Sequence, residues 1–178
     1  MVFQFLRRLK RNTQPAEIYG TLVAQARSPE FYADWNVPDT MTGRFDMLVL
    51  HVFLFTHRIR DREPLRELGQ DIFDIFFQDL DASLREVGIG DLTVPKRLKK
   101  MANSFYGQVQ VYTEPMEGGQ AKTLAEALER NVESGDSKIE YLKLSEYMIA
   151  QHDYLSGLED DDFLRGKLSY VEAGEAAK

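Results

Sequence analysis

The chain has 178 residues, 43% hydrophobic and 29% charged, with a formal net charge of −7 and no cysteine. That length suits one domain with a real core, and the missing cysteine excludes disulfides, thiolate metal sites, iron–sulfur clusters and a cysteine nucleophile. The acidic balance argues against a general nucleic-acid binder, so no DNA partner is expected.

Residues 1–14 read as a basic amphipathic segment. Val2, Phe5, Leu6 and Leu9 follow helical spacing, and Arg7, Arg8, Lys10 and Arg11 sit among them. Phe3, Phe5, Leu6, Arg7, Arg8, Lys10 and Arg11 are therefore candidate contacts to an anionic membrane surface. The alternative is a first turn packed on the domain with its charges solvated. The N-terminus lacks the sustained apolar stretch and small-residue cleavage site of a secretory signal. No apolar run in the chain is long enough to cross a bilayer.

A helical domain is expected over residues 15–170. Asn12–Pro15 breaks the first segment, and a helix runs from Ala16 to about Arg27 with Ile18, Leu22, Val23 and Ala26 inward. Ser28-Pro29 begins a short turn carrying Phe31, Tyr32 and Trp35. Asn36–Met41, with Pro38, reads as a loop ending in Thr42 as a helix cap. From Gly43 to about Arg62 the sequence leaves almost no polar face, so this helix is expected at the centre of the fold. Pro64 suits the first turn of a helix reaching about Val87. Ile72, Phe73, Ile75, Phe76, Phe77 and Leu80 supply its core face, while Asp71, Asp74, Gln78 and Asp81 form a polar stripe. Gly88 and Gly90 end it.

Thr93 caps the next helix, to about Thr113, with Leu98, Met101, Ala102, Phe105, Val109 and Tyr112 inward. Glu114–Gln120 reads as a loop, Thr123–Val132 as a short helix, and Lys138–Leu158 as a last long helix followed by a short piece near Phe163. The tail 171–178 is expected to fray. With no repeat and no strand-rich segment, the reading is all-α: a single-domain bundle of about six to seven helices.

Catalytic patterns are scarce. There is no glycine-rich phosphate loop, no G-x-S-x-G and no H-E-x-x-H. The three histidines lack a glutamate three residues earlier, and His51 and His57 fall on different helix faces, so neither a di-iron nor a histidine-based metal site is expected. No cofactor is expected either. His51, inside the apolar run, reads as a neutral, hydrogen-bonded core residue or as a partner-contacting group. Two further readings stay open: a helical enzyme or ligand-binding protein with a small-molecule site near His51 and Asp46, and a membrane-surface adaptor acting through Val2–Arg11.

One cluster opposes the interest of the fold. Lys96, Arg97, Lys99 and Lys100 crowd the first two turns of their helix, where the dipole favours acidic residues. Their misplacement costs on the order of 1 kcal/mol in total. Ion pairs to the acidic stripe of the preceding helix would offset it. Otherwise an anionic segment of a partner, or lipid headgroups, supplies the reason.

Four stretches carry a family likeness. Val37–His51 (VPDTMTGRFDMLVLH), Leu84–Met101 (LREVGIGDLTVPKRLKKM), Phe105–Gly107 and Ala24–Tyr32 (AQARSPEFY) resemble the signature of the ubiquinol–cytochrome c chaperone family. The likeness is strong over 18–112 and looser afterwards. It implies an all-helical, non-enzymatic chaperone that helps assemble ubiquinol–cytochrome c reductase, respiratory complex III. By the same resemblance the partners are newly made or apo cytochrome b and a small co-chaperone. The chain lacks the long N-terminal targeting region and the membrane-spanning segment of mitochondrial members. It therefore looks like a bacterial member, expected in the cytoplasm or peripherally on the cytoplasmic face of the inner membrane. The motif positions Arg44, Asp46, His51, Arg85, Glu86, Asp91, Lys96, Arg97, Lys99 and Lys100 become candidate partner contacts. The family offers no catalytic residues to transfer.

Overall fold

The computed structural model describes residues 13–166 and 168–173. Residues 1–12, which hold the candidate membrane contacts Phe3, Phe5, Leu6, Arg7, Arg8, Lys10 and Arg11, lie outside the described residues, as do 174–178. Among the described residues the regular elements are helices: α1 (Gln14–Ala26), α2 (Pro29–Ala33), α3 (Met41–Ile59), a 3₁₀ turn (Glu63–Leu65), α4 (Arg66–Glu86), α5 (Val94–Glu117), α6 (Ala121–Asn131), α7 (Tyr141–Ser156) and α8 (Asp160–Leu164). The fold is an all-α single domain.

Helix α3 is the axis, as its apolar run requires. Met47, Val49, Leu50, Val52, Phe53, Leu54 and Phe55 are all buried, because α1, α4, α5 and α7 pack around it. Helix α1 lies against α3 and α4, α5 bridges α4 to α6 and α7, and α6 pairs with α7. Aromatic rings fill the joins. Phe31 of α2 meets Trp35 and Tyr147 edge-on at 5.2 and 5.1 Å. Phe73, Phe76 and Phe105 tie α4 to α5.

The cap of α3 is Thr40, not the expected Thr42: the Thr40 hydroxyl accepts from the Gly43 N–H at 3.1 Å. Gly43 is required by crowding, since a Cβ there would lie 2.1 Å from the Pro38 carbonyl oxygen. Helix α4 ends in a Schellman motif, with Gly88 at φ +83°. The Ile89 and Gly88 N–H groups close on the Leu84 and Arg85 carbonyls.

Helix α5 runs four residues beyond the expected end and passes through Pro115. Pro115 and Met116 are buried, and that packing outweighs the missing N–H, so of the expected loop Glu114–Gln120 only 118–120 lie outside a helix. The last long helix is shorter than expected at both ends. The chain stays anchored to residue 173: the Val171 N–H donates to Gln151 Oε1 at 2.8 Å and Ala173 is buried.

Candidate functional site

A groove of about 640 Å³ opens between α1, the start of α3, the end of α4 and the start of α5. Its floor is apolar: Val23 and Ala26 from α1, Phe45 and Leu48 from α3, Leu80 and Leu84 from α4, Met101 from α5. Met41 and Val87 stand on its rim, 63% and 45% exposed. Arg27, Asp39, Arg44, Asp79 and Glu86 ring it with charge. The groove draws on each of three family-like stretches: 24–32 gives Ala26 and Arg27, 37–51 gives Asp39 to Leu48, and 84–101 gives Leu84, Glu86, Val87 and Met101.

The sequence-predicted residues fall into three groups. Arg44 and Glu86 reach this groove. Arg44 pairs with Asp39 at 2.6 Å, and its guanidinium holds that carboxyl below the usual carboxylate range. Arg85 and Asp91 turn toward each other beside the groove. Arg85 binds Asp81 at 2.5 Å and also Asp91, so its charge braces the α4–α5 turn. The hydrogen bond from Arg85 keeps the Asp81 carboxyl low.

The second group is Lys96, Arg97, Lys99 and Lys100. All four are exposed on α5, and none lines the groove. No carboxylate among the described residues pairs with them. The acidic stripe of α4 does not provide the offset considered from sequence: Asp81 answers to Arg85, and Asp74 accepts from Gln70.

The third group, Asp46 and His51, is corrected. His51 is fully buried and cannot touch a partner. Its Nδ1 lies 2.7 Å from the Met47 carbonyl and its Nε2 2.8 Å from the Tyr147 hydroxyl. A carbonyl only accepts, so Nδ1 carries the proton and the Tyr147 hydroxyl donates to Nε2. Gln25 Nε2 in turn donates to that hydroxyl. Burial pushes the His51 pKa down to about 4 and keeps the ring neutral. This is the satisfied core histidine of the sequence reading.

Asp46 is also buried and accepts the Glu133 N–H at 3.1 Å. Burial pushes its carboxyl up to about 6, against the pull of that hydrogen bond. The two residues serve different joins, α3 to α7 and α3 to the turn after α6, so they do not form one small-molecule site. Among the described residues no group of three His, Asp or Glu side chains is placed to hold a metal ion.

Sequence reasoning missed Met41, Val87, Asp79 and Arg27 at the groove. Met41 and Val87 carried a signal: both are apolar residues at helix ends, outside the inward stripes. Also missed was a cluster at the C-terminal end of α3. His57 Nε2 sits 3.1 Å from Glu117 Oε1, Arg60 donates to His57 Nδ1 at 3.2 Å, and the His152 ring packs on it at 5.3 Å. Burial first, then Arg60 and His152, lower the His57 pKa to about 4. No local pattern reveals that Glu117 and His152 meet His57 from so far along the chain.

The family model described as ubiquinol-cytochrome C chaperone matches residues 33–170. The mitochondrial protein CBP3 of Saccharomyces cerevisiae is 30% identical over 153 residues, covering 81% of this chain and 45% of that protein. Ubiquinol-cytochrome-c reductase complex assembly factor 1 of Xenopus laevis is 25% identical, over 83% of this chain and 74% of that one. The chain thus spans less than half of the yeast relative. The crystal structure of the Cbp3 homolog from Brucella abortus superposes with a TM-score of 0.85 at 40% identity, covering 98% of this chain and 99% of that one; a bacterial source for this chain is consistent with that neighbour. The chain belongs to the ubiquinol–cytochrome c chaperone family.

Proposed function

We propose that this protein is a non-enzymatic assembly chaperone for ubiquinol–cytochrome c reductase, and that its groove holds an apolar helical segment of newly made cytochrome b. The observation that carries this reading is the convergence of three family-like stretches on one apolar groove with a charged rim. An apolar groove floored by Phe45, Leu48, Leu84 and Met101 suits the apolar face of an amphipathic or apolar helix. It suits a nascent membrane protein in particular, whose helices must be shielded until they meet lipid or partner subunits. Relatives named as ubiquinol-cytochrome c reductase complex assembly factors support this reading. Arg44 and Glu86 would fix register at the rim, and displacement by haem insertion, partner subunits or a small co-chaperone would release the client. The protein would act peripherally on the cytoplasmic face of the inner membrane.

The test replaces Met41 and Val87 by aspartate in the intact chain. Both are exposed, so folding changes little. Capture of cytochrome b by crosslinking, and recovery of assembled complex III, should each fall by about tenfold per site, the worth of one buried apolar side chain. Undiminished capture and assembly in a folded double variant would remove the groove from the mechanism.

A further inference from the structure

The outer face of α5 is the part of the surface that the groove does not explain. From Leu92 to Thr113 the chain contains no Asp or Glu, although the molecule as a whole is acidic. On a helix, Lys96, Lys99 and Lys100 share one face, with Arg97 at its flank, opposite the inward residues Val94, Leu98, Met101 and Phe105. The face continues as Asn103, Tyr106, Gly107, Gln110 and Val111, all exposed and uncharged. Tyr106 and Val111 are 57% and 44% exposed. Leu92 leads the face and is 97% exposed. A leucine bared to that degree gains nothing from the fold.

We propose that the outer face of α5, led by Leu92, is a lipid-facing surface that docks on an anionic bilayer. The pattern has the three parts such a surface uses. An aliphatic side chain on a turn enters the acyl boundary, cations beside it meet the headgroups, and a tyrosine lies at headgroup depth. Charge complementarity selects anionic lipid, because each Lys or Arg near such a surface strengthens binding roughly fivefold. An acidic protein segment is the poorer fit. Protein interfaces centre on aromatic anchors set in pockets and deplete lysine, whereas here three lysines crown an open face.

The net charge of −7 repels the same lipids, so the cationic face turns toward them and orients the docked molecule. Met101 and Val87, which flank this face in sequence, also line the groove. The inference does not depend on what the groove holds.

The experiment uses the full chain in flotation with vesicles of phosphatidylcholine alone and of phosphatidylcholine with phosphatidylglycerol. The intact protein should float with the anionic vesicles only, and added salt should release it. Combining Lys96→Gln, Lys99→Gln and Lys100→Gln should weaken this binding on the order of a hundredfold, and Leu92→Ser on the order of tenfold. Circular dichroism confirms that both variants fold. A comparison protein with Arg7, Arg8, Lys10 and Arg11 changed to Gln should retain salt-sensitive flotation. The proposal is overturned if the triple variant binds like the parent, or if the N-terminal substitutions alone abolish binding. Retention on immobilised polyglutamate without binding to anionic vesicles would assign the face to an acidic protein and overturn it equally.

Discussion

The Tyr147 hydroxyl receives from Gln25 and donates to His51, whose other nitrogen closes on the Met47 carbonyl. Each polar atom of the His51 ring thus has a partner, which makes a fully buried imidazole tolerable. Its pH consequence has a definite sign. With its pKa lowered from 6.5 to about 4, His51 takes up a proton in the unfolded chain first. Its contribution to stability is whole above pH 6.5 and is lost as pH falls toward 4, and His57 behaves alike. Asp46 opposes them. Its carboxyl is raised from 3.8 to about 6, so above pH 6 the folded state carries a buried charge whose penalty fades as pH drops to 3.8. Asp46→Asn keeps an oxygen for the Glu133 N–H and removes the charge. Thermal melts should therefore show Asp46→Asn raising stability well above pH 6 and giving a smaller gain below the unfolded value of 3.8. Equal gains at both ends would show that burial of the charge is not what shifts this group. The sequence flagged Asp46 and His51 as polar exceptions in an apolar helix, and that much is correct. Their partners, Glu133 and Tyr147, lie far along the chain and leave no local trace.

At the start of α3 two features act within a few residues. The Thr40 hydroxyl caps the helix, and Gly43 lets the Pro38 carbonyl pass where a side chain would stand. Gly43→Ala should cost about 1–3 kcal/mol through that overlap with backbone. Gly20→Ala, in the middle of α1 with nothing near its added Cβ, should instead gain about 0.5–1 kcal/mol. Urea unfolding of the pair separates crowding from chain entropy; a matching sign for both would defeat the account. Element identity was legible from periodicity: the all-apolar α3, the phenylalanine face of α4 and the stripe of α5 are where the spacing puts them. Boundaries were less so. Thr40 and Thr42 both can cap, and only the approach of Pro38 decides between them. Pro115 signals a break, yet burial of Pro115 and Met116 carries α5 onward to Glu117.

On the scale of the whole molecule, long-range contacts close the bundle. Arg58 of α3 is nearly buried and donates to the Leu155 and Leu158 carbonyls at the end of α7. It lies 4.9 Å over the Phe163 ring and 3.6 Å from Asp160, so one side chain joins α3, α7 and α8. Arg58→Met keeps most of the volume but strands those carbonyls. A loss of about 3 kcal/mol is expected in denaturant unfolding, and a variant as stable as the parent would deny Arg58 this role. The groove belongs to this scale as well. It is assembled from α1, α3, α4 and α5, so no window of sequence shows it; the family-like stretches identified its walls without showing that they meet. The lysines of α5 were legible as an anomaly because helix polarity is a local rule, while the absence of an ion-pair partner among the described residues required the fold. Lastly, Trp35 is the chain's single tryptophan, 3% exposed, with Phe31 at 5.2 Å and Tyr147 at 6.0 Å. Nature has left one fluorophore at the seam of α2 and α7. Its emission reports water entering that seam, unmixed with signal from any other indole.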